Sequence, residues 1–191
     1  MPHTQILYSG ETFDSLVMSQ QTLQGRQYEG CEFRKCSFIE VRLDGCKFID
    51  CRFIECRLIA VRPPNSRFTG VKFVNSQVVG MDWTLAETID ELEFSGCKIN
   101  YSNFKLLTIP GIRIEKCEAK EAAFIEADLS SGVFTGTDFE NSRFFKTNLA
   151  GADFRGAKNY AISAYHNNLK GAKFSLPEAM NLLYGLEITV E

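Results

Sequence analysis

The N-terminus, Met1-Pro-His-Thr-Gln-Ile-Leu-Tyr8, lacks the cationic segment and following apolar run of a secretory leader. Nowhere does an apolar stretch approach the ~20 residues that a membrane span needs. These absences predict a soluble, cytoplasmic protein with no membrane partner. Histidine is scarce: His3 and His166 lie far apart, with no nucleophile elbow, glycine-rich phosphate loop or metal-ligand spacing beside either. Both read as surface residues, so no catalytic residue, metal or cofactor is expected, and the chain is not expected to be an enzyme. A net charge of −3 is too small to argue for direct nucleic-acid binding. C-x-x-C pairs are missing too, although there are seven cysteines. An odd count without a leader fits free thiols in a reducing compartment.

What is present is a repeat. From Cys31 to Leu58 the chain reads in fives: Cys31-Glu-Phe33-Arg-Lys, Cys36-Ser-Phe38-Ile-Glu, Val41-Arg-Leu43-Asp-Gly, Cys46-Lys-Phe48-Ile-Asp, Cys51-Arg-Phe53-Ile-Glu, Cys56-Arg-Leu58. Neither the 3.6 period of a helix nor the 2 period of a flat strand fits. If the first and third residues of each five point inward, every unit turns the chain by a constant angle. Four units then close a square coil of about twenty residues, and coils stack as parallel strands roughly 4.8 Å apart. All seven cysteines occupy the small first position, so Cys31/Cys51, Cys36/Cys56 and Cys97/Cys117 should stack in neighbouring coils as buried thiols. A redox role for these stacked thiols is a minor alternative.

The central positions run from Phe13 to Trp83 with Pro63 the one break, where a locally bulged corner is expected. Ile6, Leu7 and Tyr8 read as off the period. The frame then slips by one residue and resumes from Phe94 to Phe154, loosens at Asn159 and Ala164, and recovers at Leu169 and Phe174. The expected organisation is a lead-in or cap over 1–12, a repeat block over 13–83, a register break or short acidic loop over 84–93, and a second block over 94–174. Roughly eight coils make a rod about 40 Å long. Over 175–191, Ser175-Leu-Pro-Glu178 has capping-box spacing and predicts a short helix to about Tyr184. Leu186, Ile188 and Val190 alternate as a strand. The helix is apolar on more than one side, which predicts a homodimer interface at Leu176, Pro177, Met180, Leu183, Leu186 and Ile188.

Units such as Ala127-Asp128-Leu129-Ser-Ser and Ala152-Asp153-Phe154-Arg-Gly resemble the pentapeptide-repeat family, whose consensus is near Ala-Asp/Asn-Leu-x-x. That resemblance implies an all-β solenoid, the right-handed quadrilateral parallel β-helix. The segment from Asn159 to Ile188 is similar to the C-terminal dimer module of the topoisomerase-protecting branch, which includes the albicidin-resistance protein AlbG, the Qnr proteins and MfpA. Its implication is a dimeric rod that binds DNA gyrase where duplex DNA would lie and counters inhibitors such as albicidin or a quinolone.

Charge alone leaves two readings open. Residues 31–72 hold nine basic and five acidic side chains, whereas 84–154 hold seven basic and twelve acidic. The acidic half either mimics DNA, with Glu87, Asp90, Glu91, Glu118, Asp128, Asp138 and Asp153 as gyrase contacts, or is ordinary solvated surface. An interaction scaffold without a gyrase role is the alternative function.

Overall fold

In the computed structural model, residues 6–183 are described. Each five-residue unit is a short extended stretch followed by a corner. The fifth residue makes the corner by adopting left-handed backbone, as at Lys35 (φ 51°), Glu40 (52°), Gly45 (62°) and Asp50 (52°). Four corners close a coil, and twenty residues later the chain lies one strand above itself in parallel register, Phe33 against Phe53 and Phe53 against Phe73. The molecule is an all-β parallel solenoid.

It has four faces. The first carries strands Ile6–Ser9, Arg26–Glu29, Lys47–Ile49, Arg67–Thr69 and Thr88–Asp90; the second runs from Thr12–Asp14 through Glu32–Arg34, Arg52–Ile54, Lys72–Val74 and Glu93–Ser95 to Arg113–Glu115. The third holds Val17–Ser19, Ser37–Ile39, Arg57–Ile59 and Gln77–Val79, and the fourth Thr22–Gln24 and Arg42–Asp44. Single parallel bridges, such as Asn103 to Ala123 and Asp153 to Lys173, continue all four faces toward the C-terminus.

Inward third positions build the core. On the second face, the rings of Phe13, Phe33, Phe53, Phe73 and Phe94 stack at centroid separations of 4.5–5.1 Å and interplanar angles of 5–17°. Neighbouring faces meet edge to face, as Trp83 does on Phe68, Phe73 and Phe94. Stacked and edge-on pairs at these separations add to the burial itself.

Inward first positions pose a hydrogen-bonding problem, because each brings a buried amide with it. Many turns solve it locally: Gly132 N–H donates to the Leu129 carbonyl at 3.0 Å and Ala157 N–H to that of Phe154 at 3.0 Å. Elsewhere the side chain one coil later accepts. Cys46 N–H donates to Ser66 Oγ at 2.9 Å, Cys56 N–H to Ser76 Oγ at 2.9 Å, Cys117 N–H to Thr137 Oγ1 at 3.1 Å and Ala122 N–H to Ser142 Oγ at 3.0 Å. The accepting hydroxyl donates in turn to a carbonyl, as Ser66 does to Leu43 at 2.8 Å. Ser, Thr and Cys at this position are therefore ladder elements as well as small fillers.

All seven cysteines are buried free thiols. Their S–H groups donate to carbonyls, Cys56 to Phe33 at 3.2 Å and Cys51 to Tyr28 at 3.4 Å. Burial pushes the Cys51 and Cys56 thiols up to about 12. Because all seven thiols are buried away from reagent, iodoacetamide at neutral pH should leave the folded protein almost unlabelled over an hour and label it fully in guanidinium. Mass spectrometry reads this directly, and rapid labelling of any native thiol would revive the redox reading.

Three expectations are corrected, and of the two readings of 84–93 the register break is the one found. Tyr8 is on the frame: Ile6–Ser9 pairs with Arg26–Glu29 and Tyr8 stacks on Tyr28 at 5.1 Å, so the coil already runs at Ile6 and not from Phe13. No loop stands out over 84–93. The extra residue is absorbed by a 3₁₀ turn at Trp83–Leu85, after which Thr88–Asp90 pairs with Arg67–Thr69 and Ile89 takes the central place opposite Phe68. Near the end, Tyr160 and Ile162 fill the core in place of Asn159 and Ala164; Phe144 bridges Ile162, and two extra residues emerge before Asn168 rejoins Asn148. Asn167 holds that bulge by accepting from Thr147 N–H at 2.9 Å and donating to the Ser163 carbonyl at 2.9 Å. Lastly, the C-terminal helix is a single 3₁₀ stretch, Glu178–Leu182. Its capping box does not form, because Ser175 Oγ instead accepts the Gly156 N–H at 2.9 Å and Glu178 accepts from Asn181 at 2.9 Å.

Candidate functional site

The outward second and fourth positions supply the side chains a partner would meet. The fold spreads the seven carboxylates singled out from the sequence rather than gathering them. Glu87, Asp90 and Asp128 lie along the first face, Asp153 on the second, Glu118 and Asp138 on the third, and Glu91 at a corner with φ 49°.

Most of them also meet a cation. Arg67 bonds Glu87 at 2.5 Å, Arg155 bonds Asp153 at 2.6 Å, and Lys98 sits 3.7 Å from Glu118. Asp138 lies between Lys120 and Lys158, each at 3.8 Å, and accepts from Asn159 at 2.8 Å. Asp128 is held by neutral donors, Ser130 N–H and Asn148 Nδ2, both at 3.0 Å. Many of these pairs are twenty residues apart, so adding twenty to each charged position would have found them in the sequence. Exposed pairs of this kind add little stability, but they mute the field that a DNA-like surface would project.

The same hydrogen bonds fix a pH dependence. Arg67 lowers the Glu87 carboxyl, Asn100 that of Glu118, the Ser130 amide that of Asp128 and Arg155 that of Asp153, all below their ordinary values. A depressed folded-state value favours the native state above the unfolded value and loses that support as pH falls through the folded one. The melting temperature should therefore be level from about pH 8 to pH 5 and decline below about pH 4. A profile that instead rises on acidification would contradict these assignments.

At the C-terminal end, Leu176 is 76% exposed and Met180 37%, while Leu183 is half-buried and Leu182 packs on the core. Pro177 precedes the 3₁₀ stretch with an exposed side chain. Leu186 and Ile188 lie outside the described residues.

A different outward feature escaped the sequence reading. On the fourth face toward the C-terminus, positions 103–105, 123–125 and 143–145 hold no carboxylate, yet display Lys105, Ile125, Arg143 and Phe145. Leu106 is 73% exposed, Phe145 41% and Tyr165, on the two-residue bulge, 84%. The signal was an apolar residue near one corner in successive coils: at the corner itself at 106, at the outward positions 125 and 145, and on the bulge at 165. Among the described residues no cluster of three or more His, Cys, Asp or Glu side chains is placed to hold a metal, and no helix is long and apolar enough to cross a membrane.

Two family models match: a pentapeptide repeat region over residues 27–104 and pentapeptide repeats over residues 122–158, together more than half of the chain. No curated protein matches. Among solved structures, a trypsin-treated variant of QnrB1, a plasmid-mediated fluoroquinolone resistance protein, is 18% identical and superposes with a TM-score of 0.69 over 95% of this chain and 100% of that one. A second trypsin-treated QnrB1 variant gives 0.60 at 20% identity, over 98% of this chain and all of that one. At such identities the likeness is one of fold.

Proposed function

The chain belongs to the pentapeptide-repeat family, and from that premise we propose that it is a non-enzymatic rod that binds DNA gyrase where duplex DNA would lie and protects the enzyme from an inhibitor such as albicidin or a quinolone. The observation that supports this reading is the likeness in fold, over 95% of this chain and all of that one, to a fluoroquinolone resistance protein. Carboxylates on three of the four faces, with Glu118 and Asp138 stacked in successive coils, add support, since a cationic DNA groove accepts negative charge. With Glu87, Glu118, Asp138 and Asp153 ion-paired, shape carries much of the fit and charge tunes it.

The test is DNA supercoiling by purified gyrase with increasing protein, with and without albicidin and a fluoroquinolone. Rescue of the inhibited reaction, or inhibition of the drug-free one, supports the proposal; rescue should fade as salt rises, because screening weakens carboxylate contacts. No effect in any arm favours the second reading, a protein-interaction scaffold without a gyrase role, to which the ion pairing of the acidic half lends its own support.

The rod is proposed to act as a homodimer joined through Leu176, Pro177, Met180 and Leu183, with Leu186 and Ile188 beyond the described residues. Substituting Met180→Asp and Leu183→Asp together should halve the mass measured by sedimentation equilibrium. An unchanged profile removes this interface.

A further inference from the structure

We propose that the C-terminal part of the fourth face is a docking strip for an acidic amphipathic helix of a partner protein, laid along the rod axis. The apolar rungs Leu106, Ile125, Phe145 and Tyr165 come one per coil: Ile125 and Phe145 share a column, Leu106 stands at the corner beside it with N–H donating to the Ile125 carbonyl at 3.0 Å, and Lys146 N–H donates to the His166 carbonyl at 2.9 Å. Coils repeat about every 4.8 Å, close to the ~5.4 Å pitch of an α-helix. A helix with apolar residues at i, i+4, i+7 and i+11 therefore sets one anchor against each rung.

The rungs are preorganised. The His166 ring lies 5.1 Å from that of Phe145 and 5.0 Å from that of Tyr165, and the Lys146 ammonium sits 5.7 Å from the Phe145 centroid. These contacts hold the aromatic side chains outward rather than letting them collapse onto the coil.

Charge selects the partner. Lys105 and Arg143 stand among the rungs and have no ion-pair partner among the described residues; Lys47, Arg52 and Arg57 on other faces share that, but here positions 103–105, 123–125 and 143–145 hold no carboxylate either. The nearest acid, Glu126, is 3.8 Å from Lys146. A strip in which apolar residues are interspersed with Lys105, Arg143 and Lys146 fits a helix with acidic flanks. A second copy of the same strip would bring like charges together. Nucleic acid is disfavoured as well, since its affinity grows with the number of phosphates neutralised, and this strip offers three cations within an acidic half.

The strip excludes the carboxylates assigned to gyrase, so the two readings fail separately: its loss should leave gyrase protection unchanged. The probe is a fluorescein-labelled peptide of ~16 residues with Leu or Phe at the four anchor positions and Glu and Ala elsewhere. Controls are a scramble of the same composition, a version with Lys for Glu, and a single-stranded oligonucleotide.

By anisotropy on the full chain, the acidic periodic peptide should bind at least about tenfold tighter than any control. Phe145→Ser with Tyr165→Ser, both at exposed positions, should weaken it by about tenfold or more without shifting the melting temperature. Lys105→Glu with Arg143→Glu should reverse the preference toward the Lys peptide. The proposal is overturned if the scramble binds equally, if the oligonucleotide binds more tightly, if neither double variant changes affinity, or if the serine variant lowers the mass in sedimentation and so marks a contact between copies.

Discussion

Phe124→Ala should be the most damaging single truncation in the rod, costing about 3–5 kcal/mol of stability. Phe124 is fully buried between Phe104 and Phe144, with ring centroids 5.1 and 4.9 Å away and nearly parallel planes, and meets the edge of Phe139 at 5.9 Å. Removing it leaves a void that its neighbours cannot fill, since each is itself fixed by the coil above or below. In a solenoid each coil is supported by nearest neighbours, so the damage should be local before it is global. Hydrogen exchange should show faster opening of residues 104–144 than of the Phe33–Phe73 region, and chemical denaturation should give the total loss. A loss under about 1 kcal/mol would show that the coils slide together to close the gap.

Thr137→Val comes next and acts by a different route, since it changes almost no volume. Thr137 Oγ1 accepts from Cys117 N–H at 3.1 Å and donates to the Ile114 carbonyl at 2.6 Å, with the side chain fully buried. Valine keeps the shape and strands both groups. Leaving a buried donor or acceptor unpaired costs about 1–3 kcal/mol each, so a loss of about 2–4 kcal/mol is expected. Thr137→Ser retains the hydroxyl and should recover most of it. If valine is as stable as wild type, the Cys117 amide has found another acceptor and the proposed ladder of first-position hydroxyls is unnecessary.

The coil was legible because its period is carried by residues that have no alternative place. Phe33, Phe38, Phe48 and Phe53 cannot all face solvent, and only a turn every five residues buries them together. What was misread lies where that period is kept by backbone rather than by side-chain type. Tyr8 sits five residues before Phe13 and pairs with Tyr28, but its exposed neighbours Ile6 and Leu7 hid the frame. The change near Trp83 depends on a 3₁₀ turn that moves one residue out of line, and composition carries no sign of it. Ser175 shows how a good local signal loses: its spacing to Glu178 suits a helix cap, yet the preceding coil presents an unpaired Gly156 amide that takes the hydroxyl first.

The candidate surfaces were legible to an unequal degree. Individual carboxylates could be named, but their neutralisation follows from pairs such as Lys98 with Glu118 and Lys120 with Glu140, which are distant in sequence and adjacent in space. The apolar strip was missed because outward positions were read only for charge.

The left-handed corner at every fifth residue makes the rod a kind of vernier. Excising five residues from one coil would carry all downstream outward side chains a quarter-turn around the axis, setting the carboxylate-free positions of the fourth face in line with acidic ones. Excising twenty would shorten the rod by about 4.8 Å and return each column to its own side. Lengthening by whole coils is thus the change this architecture can absorb without rewriting any surface, and length and surface chemistry can vary independently of one another.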